Sequence, residues 1–143
     1  MLVLTTTYES VIMNAKGAFL NSISSFYIGL FTNVITITRT TTQANLTEPT
    51  FPGYSRITGA PGFTAAYQNG AGFYQIDRAA LAVFTPSSVT AGQQVYGYFC
   101  GSGVNGLLWA ENNPAGPILV GNTLLPYIVQ VSMQESQFNP ANP

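Results

Sequence analysis

Five carboxylates are the only residues of this chain equipped for acid and base work: Glu9, Glu48, Asp77, Glu111 and Glu135. Two of them in one cleft would have the makings of a glycosidase, whose mechanism needs only a pair of carboxyl groups flanking the scissile bond. Nothing in their spacing brings any two together. Asp77 is followed by Arg78, but neighbours on a strand point to opposite faces, so even this is no ready ion pair. The reading they support is isolated surface or loop acids, partnered by arginine or by backbone N–H groups.

Histidine is absent, which removes Ser-His-Asp and Cys-His triads and the commonest metal ligand. Cys100, the single cysteine, lies in an apolar run with no neighbouring cation to favour a thiolate. It reads as a small buried hydrophobe, and no zinc-ligand spacing surrounds it. Lys16, the single lysine, has a solvated helix residue as its default reading and an isopeptide bond to an asparagine as its sharper one. Gly70-Ala71-Gly72 and Gly101-Ser102-Gly103 lack the Lys-Thr/Ser ending of a phosphate cradle and are turn glycines. Trp109 has a face for stacking on a sugar, but the run Leu107-Leu108-Trp109-Ala110 places it in the core or at a subunit interface. The expectation is a chain with no catalytic residues, no cofactor and no metal.

The charge content points the same way. Four basic and five acidic residues leave a net charge of −1 and 6% charged residues, against roughly 25% in an ordinary soluble domain. Self-repulsion is weak at such a surface, so association is favoured. The expected partners are copies of the chain itself, as a trimer or dimer. Lys16, Arg39, Arg56 and Arg78 are scattered and cannot neutralise a row of phosphates, which argues against nucleic acid and against an anionic membrane. Residues 17–38 are uncharged and long enough to cross a bilayer, but Asn21, Ser22, Ser24, Ser25, Thr32, Asn33 and Thr36 interrupt them, so they read as soluble structure.

The elements that must position these residues are mostly short. A helix is predicted over 8–20, capped by Thr6 or Thr7, with Glu9 in its first turn and Gly17 near its end. Its apolar residues Tyr8, Ile12, Ala15 and Phe19 recur at helical spacing. The period then changes to two, giving strands over 26–31 and 34–38 and a long ordered loop over 39–52. Further strands are predicted over 54–58, 63–67, 72–76, 79–85, 93–100, 107–111, 118–120 and 123–133, with a hairpin turn at 102–106. Many short strands between regular turn signals predict an all-β fold: an antiparallel β-sandwich, jelly-roll-like, with one short N-terminal helix. One domain is expected over 1–143, with residues 1–7 and 134–143 as extended arms.

Several short runs recur in a set order. Leu30-Phe31-Thr32-Asn33 is followed by Leu46-Thr47-Glu48 and by Phe51-Pro52-Gly53-Tyr54-Ser55-Arg56-Ile57-Thr58. Thr90-Ala91-Gly92, Val95-Tyr96-Gly97-Tyr98-Phe99, Leu107-Leu108-Trp109-Ala110-Glu111 and Gly121-Asn122-Thr123-Leu124 come after them. This ordered set, over residues 20–133, resembles the small bacteriophage virion structural proteins of the capsid decoration, or head cement, type. The resemblance implies a β-sandwich on the capsid exterior that binds the major capsid protein and ties neighbouring capsomers together. Such a protein gains from many weak contacts repeated by symmetry and needs no catalytic group. The residues expected at a subunit or capsid interface are Met1, Leu2, Leu4, Phe51, Pro52, Tyr54, Trp109 and Phe138. The alternative from another class is a tail-fibre or host-recognition β-sandwich that binds carbohydrate.

Overall fold

A computed structural model describes residues 5–134. Its elements run α1 (Thr6–Asn21), β1 (Phe26–Phe31), β2 (Ile57–Gly59), β3 (Tyr67–Gln68), β4 (Tyr74–Asp77), β5 (Ala82–Phe84), β6 (Gln93–Val95), β7 (Gly97–Ser102), β8 (Gly106–Asn112), β9 (Ile118–Val120), β10 (Tyr127–Val129) and β11 (Ser132–Gln134). The chain is mostly β, with one α-helix and several antiparallel sheets. Of the expected arms, Thr6 and Thr7 belong to α1 and Gln134 to β11, while residues 1–4 and 135–143 lie outside the described residues. Contacts divide the chain into two compact units.

The first unit draws on Met1–Ile23, Pro61–Leu81 and Gln130–Pro143. Thr5 caps α1, its hydroxyl accepting from Tyr8 N at 3.4 Å, and Glu9 lies in the first turn, where the helix end favours negative charge. The expected helix forms, but Thr5 and not Thr6 or Thr7 caps it, and its apolar repeat is not the face that it buries. Met13, Gly17 and Leu20 are buried, whereas Tyr8, Ala15 and Phe19 are exposed and Ile12 is half-buried. Gly17 faces β4 from the helix, where a Cβ would be in ordinary contact, 3.6 Å from Ile76 Cδ1.

The unit's sheet has the order β11-β4-β3. The strand expected over 63–67 shrinks to β3 and a single bridge between Phe63 and Arg78. Asn21 holds the intervening chain instead, donating to Phe63 O at 2.9 Å and accepting from Phe63 N at 2.7 Å. Arg78 is buried, donating from Nη1 to Ala80 O at 2.6 Å, and its Nε has no partner.

The second unit comprises Ser24–Ala60 and Ala82–Val129. It holds a four-stranded sheet of order β2-β1-β7-β8 and two ribbons, β5–β10 and β6–β9. Every residue of β1 and β7 is buried. One sheet face carries Phe26, Ile28 and Leu30 opposite Ser102, Cys100 and Tyr98. On the other face three consecutive cross-strand pairs each join an aromatic residue to a glycine: Tyr27 with Gly101, Gly29 with Phe99, and Phe31 with Gly97.

That second face is the centre of a core made of Tyr27, Phe31, Leu46 and Phe99, against which Ile35 and Ile37 pack. Residues 34–38 therefore alternate as a strand would, but they join no ladder, which corrects the expected strand. The long loop is ordered, as expected. Asn33 donates to Asn45 O at 2.9 Å and accepts from Thr47 N at 2.8 Å, and Thr32 N donates to Thr47 O at 2.8 Å.

Two longer strands are also corrected. The one expected over 93–100 breaks at Tyr96, where the chain leaves the β9 pairing and enters the four-stranded sheet. The one expected over 123–133 is two strands, β10 and β11, in different sheets. The β7–β8 hairpin forms at the expected turn, with a register shift between Cys100 and Gly101.

Candidate interaction surface

Three of the four described acids, Glu48, Asp77 and Glu111, each meet a tyrosine. Tyr54 donates to Glu48 at 2.7 Å, Tyr67 to Asp77 at 2.6 Å and Tyr98 to Glu111 at 2.7 Å. Glu48 is also bound by Arg56, through Nη2 at 2.5 Å and Nε at 3.1 Å. Arg56 stacks over the Tyr27 ring at 4.6 Å from its centroid. The Gln43 amide bridges this guanidinium and the Tyr27 hydroxyl, with its oxygen toward the former and its nitrogen toward the latter.

Burial pushes the Glu48 carboxyl up, but the hydrogen bonds from Arg56 and Tyr54 and the charge of Arg56 outweigh it and hold the group below its ordinary value. Burial comes first for Asp77 as well, and bonds from Tyr67, Gln75 and Ser132 outweigh it to the same net direction. The Tyr98 hydroxyl is pushed up by burial and then by its bond to Glu111. These are satisfied structural contacts, and none of them joins two carboxylates. No group of three or more His, Cys, Asp or Glu able to hold a metal ion occurs among the described residues. No described helix is long and apolar enough to cross a membrane.

The feature with room for a partner lies elsewhere in the second unit, where three loops converge. Thr90 donates to Gly121 O from its backbone N at 2.9 Å and from its hydroxyl at 3.2 Å. Ser87 N donates to Pro52 O at 2.8 Å, and Thr50 and Gln93 exchange hydrogen bonds at 2.6 and 3.1 Å. Gly121 has φ +91° and sits so close to Phe51 that a Cβ would lie 3.0 Å from Phe51 Cβ. Only glycine combines that backbone with that approach. The runs Phe51-Pro52-Gly53, Thr90-Ala91-Gly92 and Gly121-Asn122-Thr123, far apart in sequence, thus meet in one place.

Two shallow concavities open there. One, of about 350 Å³, is lined by Ile118, Leu119, Asn122, Thr123, Leu125 and Tyr127 among others. The other, of about 260 Å³, is lined by Thr50, Pro52, Thr90, Ala91 and Gln93 among others. Leu125 is 73% exposed, and Leu119, Leu124 and Ile118 are exposed with it. On the β5–β10 ribbon Val83 and Ile128 stand directly opposite each other, both exposed. No charged residue occurs between Arg78 and Glu111, or between Glu111 and Glu135. This is an apolar surface with threonine, asparagine and glutamine at its margins.

The residues expected at an interface are placed unevenly. Pro52 is exposed and lines the smaller concavity, and Phe51 is buried beneath it. Tyr54 is half-buried, its hydroxyl accepting from Leu30 N and donating to Glu48. Trp109 is half-buried, tilted against Phe26 at 6.2 Å. Met1, Leu2, Leu4 and Phe138 lie outside the described residues. Sequence reasoning missed Leu119, Leu124, Leu125, Val83 and Ile128. The signal for them was a Leu-Leu pair just after the Gly121-Asn122 turn, inside a long stretch without charge. No protein-family model, no curated protein and no solved structure matches the chain.

Proposed function

We propose that this chain is a non-enzymatic structural protein of a phage virion, which binds the capsid exterior and ties neighbouring capsomers together. The observation that carries the reading is the uncharged, exposed apolar surface formed by residues 118–128 and the loops beside it. A surface of this kind suits a protein partner presented in many symmetric copies, where each contact is weak and the array is strong. Its concavities are lined by no charged residue, and Glu48 and Glu111 are engaged by tyrosine and arginine. The convergence of three runs of the head-cement resemblance at this surface is further support.

The same reading takes the fold as a jelly-roll-like sandwich, with the four-stranded sheet as one layer and the ribbons β5–β10 and β6–β9 contributing to the other. The test is the copy number of this chain in purified virions, by quantitative mass spectrometry against the major capsid protein. A ratio near that of the shell subunits is the expected result. A handful of copies would move the protein to the tail, and its absence would remove it from the virion.

A further inference from the structure

An asparagine rearranges most readily before glycine, which has no side chain to keep its nitrogen away from the neighbouring carboxamide. The chain holds two such dipeptides, Asn69-Gly70 and Asn105-Gly106. Each asparagine stands in the connection of an antiparallel hairpin, β3–β4 for the first and β7–β8 for the second. A Cβ added at either glycine would meet nothing within 4 Å, so neither is crowded. What differs is how the asparagine side chain is held.

The Asn69 carboxamide is fixed on both sides. Its Nδ2 donates to Gln75 Oε1 and to Gln134 Oε1, each at 3.0 Å. Its Oδ1 accepts from Ala71 N at 3.0 Å and from Phe73 N at 3.1 Å. Attack by Gly70 N requires the carboxamide to turn, which forfeits these bonds, and the nitrogen that must leave is the one the two glutamines hold. Asn105 is exposed in the β7–β8 turn. Its backbone N donates to Ser102 Oγ at 2.8 Å, but among the described residues no hydrogen bond holds its side-chain amide.

We infer that Asn105 is a site of spontaneous modification to aspartate and isoaspartate, and that the fold protects Asn69 in the same dipeptide. Gly106 N attacks Asn105 Cγ, so that the N–Cγ bond forms and the Cγ–Nδ2 bond breaks. Nδ2 leaves as ammonia, taking the proton that Gly106 N gives up. Water then opens the cyclic imide: cleavage at Cγ yields aspartate, and cleavage at the main-chain carbonyl yields isoaspartate. No electron is transferred, and water is the co-reactant. Either product adds a negative charge to a chain whose net charge is −1. Isoaspartate also inserts an extra carbon into the main chain of a turn that Ser102 closes, just before Gly106 at φ +70°. The chemistry needs no shell, so this inference and the virion reading can fail separately.

The experiment is incubation of the purified full-length chain in mildly alkaline buffer, followed by unfolding, tryptic digestion and mass spectrometry. Trypsin places the two asparagines in different peptides, 57–78 and 79–143, and fragmentation locates the change within the second. Asn105 is expected to convert to a mixture of aspartate and isoaspartate. Asn69 should lag by at least about tenfold, since its turning must break several hydrogen bonds at once. Incubation in urea, where those bonds are gone, should bring the two rates together. Equal rates in the folded chain, a faster Asn69 or an unconverted Asn105 would overturn the proposal. A gap that persists in urea would place its cause in the flanking sequence and overturn protection by the fold.

Discussion

Phe99 stands directly opposite Gly29 across the β1–β7 ladder, and its ring fills the space that a side chain at position 29 would need. A Cβ built on Gly29 would come within 2.6 Å of Phe99 Cε1 and nearer still to Cζ. The neighbouring pairs repeat the relation with the aromatic residue on the other strand, Tyr27 over Gly101 and Phe31 over Gly97. The glycines give up β propensity, and the rings laid across them recover it as buried contact. Gly29→Ala is expected to destabilise the second unit by about 1–3 kcal/mol through overpacking. Gly70→Ala, where a Cβ would meet nothing, stays within about 1 kcal/mol of the parent. Urea midpoints of the two variants check the pair, and equal midpoints would contradict the packing described.

The Glu48–Arg56–Tyr54 cluster fastens the long loop beside the aromatic core. Glu48→Gln keeps the shape, removes the charge, and is expected to cost about 1–2 kcal/mol at neutral pH. Because the folded-state carboxyl is held below its unfolded value of 4.5, its contribution is complete above that pH and is lost as pH falls through the lower folded value. Thermal midpoints of parent and variant should therefore differ at pH 7 and converge as the pH drops below 4.5. A constant gap down to acid pH would count against it.

Asn33 plays the part of a missing strand residue, accepting from Thr47 N and donating to Asn45 O. Asn33→Ala leaves both loop groups without these bonds and should loosen residues 39–46 while sparing the sheet. Arg39 is exposed in that loop, so tryptic cleavage after it reads the change. Faster cleavage is expected in the variant, and an unaltered rate would show that the loop is held by other contacts.

Arg78 places a cation in a buried setting with one hydrogen bond to Ala80 O and an unsatisfied Nε. Removing a charge from such a site is often neutral or stabilising when an apolar side chain fills its volume. Arg78→Met is expected to be at least as stable as the parent in chemical denaturation, since the backbone bonds of residue 78 to Val131 and Gln130 remain. A clear loss of stability would reveal a role for the guanidinium.

Leu125 offers the most direct handle on the proposed capsid contact. Leu125→Asp should leave the folding free energy within about 0.5 kcal/mol, as expected of an exposed site. It should also abolish binding to shells that lack the protein, measured by co-sedimentation. Undiminished binding would move the contact off this surface.

Much of the fold was legible from local signals. The helix was marked by its apolar repeat and Glu9, although Thr5 and not Thr6 or Thr7 caps it, and the β7–β8 hairpin by the glycines of its turn. The repeat of Tyr8, Ile12, Ala15 and Phe19 does not locate the buried line of α1, because that line contains Gly17, which no hydrophobic pattern detects. The strand over 93–100 was read as continuous because Tyr96 is as good a strand former as its neighbours. Its break is a change of sheet, settled by long-range pairing with Phe31 and Asn113. Residues 34–38 had the alternation of a strand because Ile35 and Ile37 do face a core; only the ladder is missing. Pro52 was expected at an interface and borders the apolar surface. The exposed leucines beside it escaped notice because sequence alone does not separate an exposed leucine from a buried one.

The position of Cys100, wholly buried in the central sheet of the second unit and the sole thiol of the chain, gives the protein a built-in clock. A thiol reagent can reach it only when β7 parts from its neighbours, so the labelling rate in native buffer measures how often that sheet opens. No label need be engineered, and no other sulfhydryl adds to the signal. The same trace, run with and without an assembly partner, would report in one number how far binding tightens the fold.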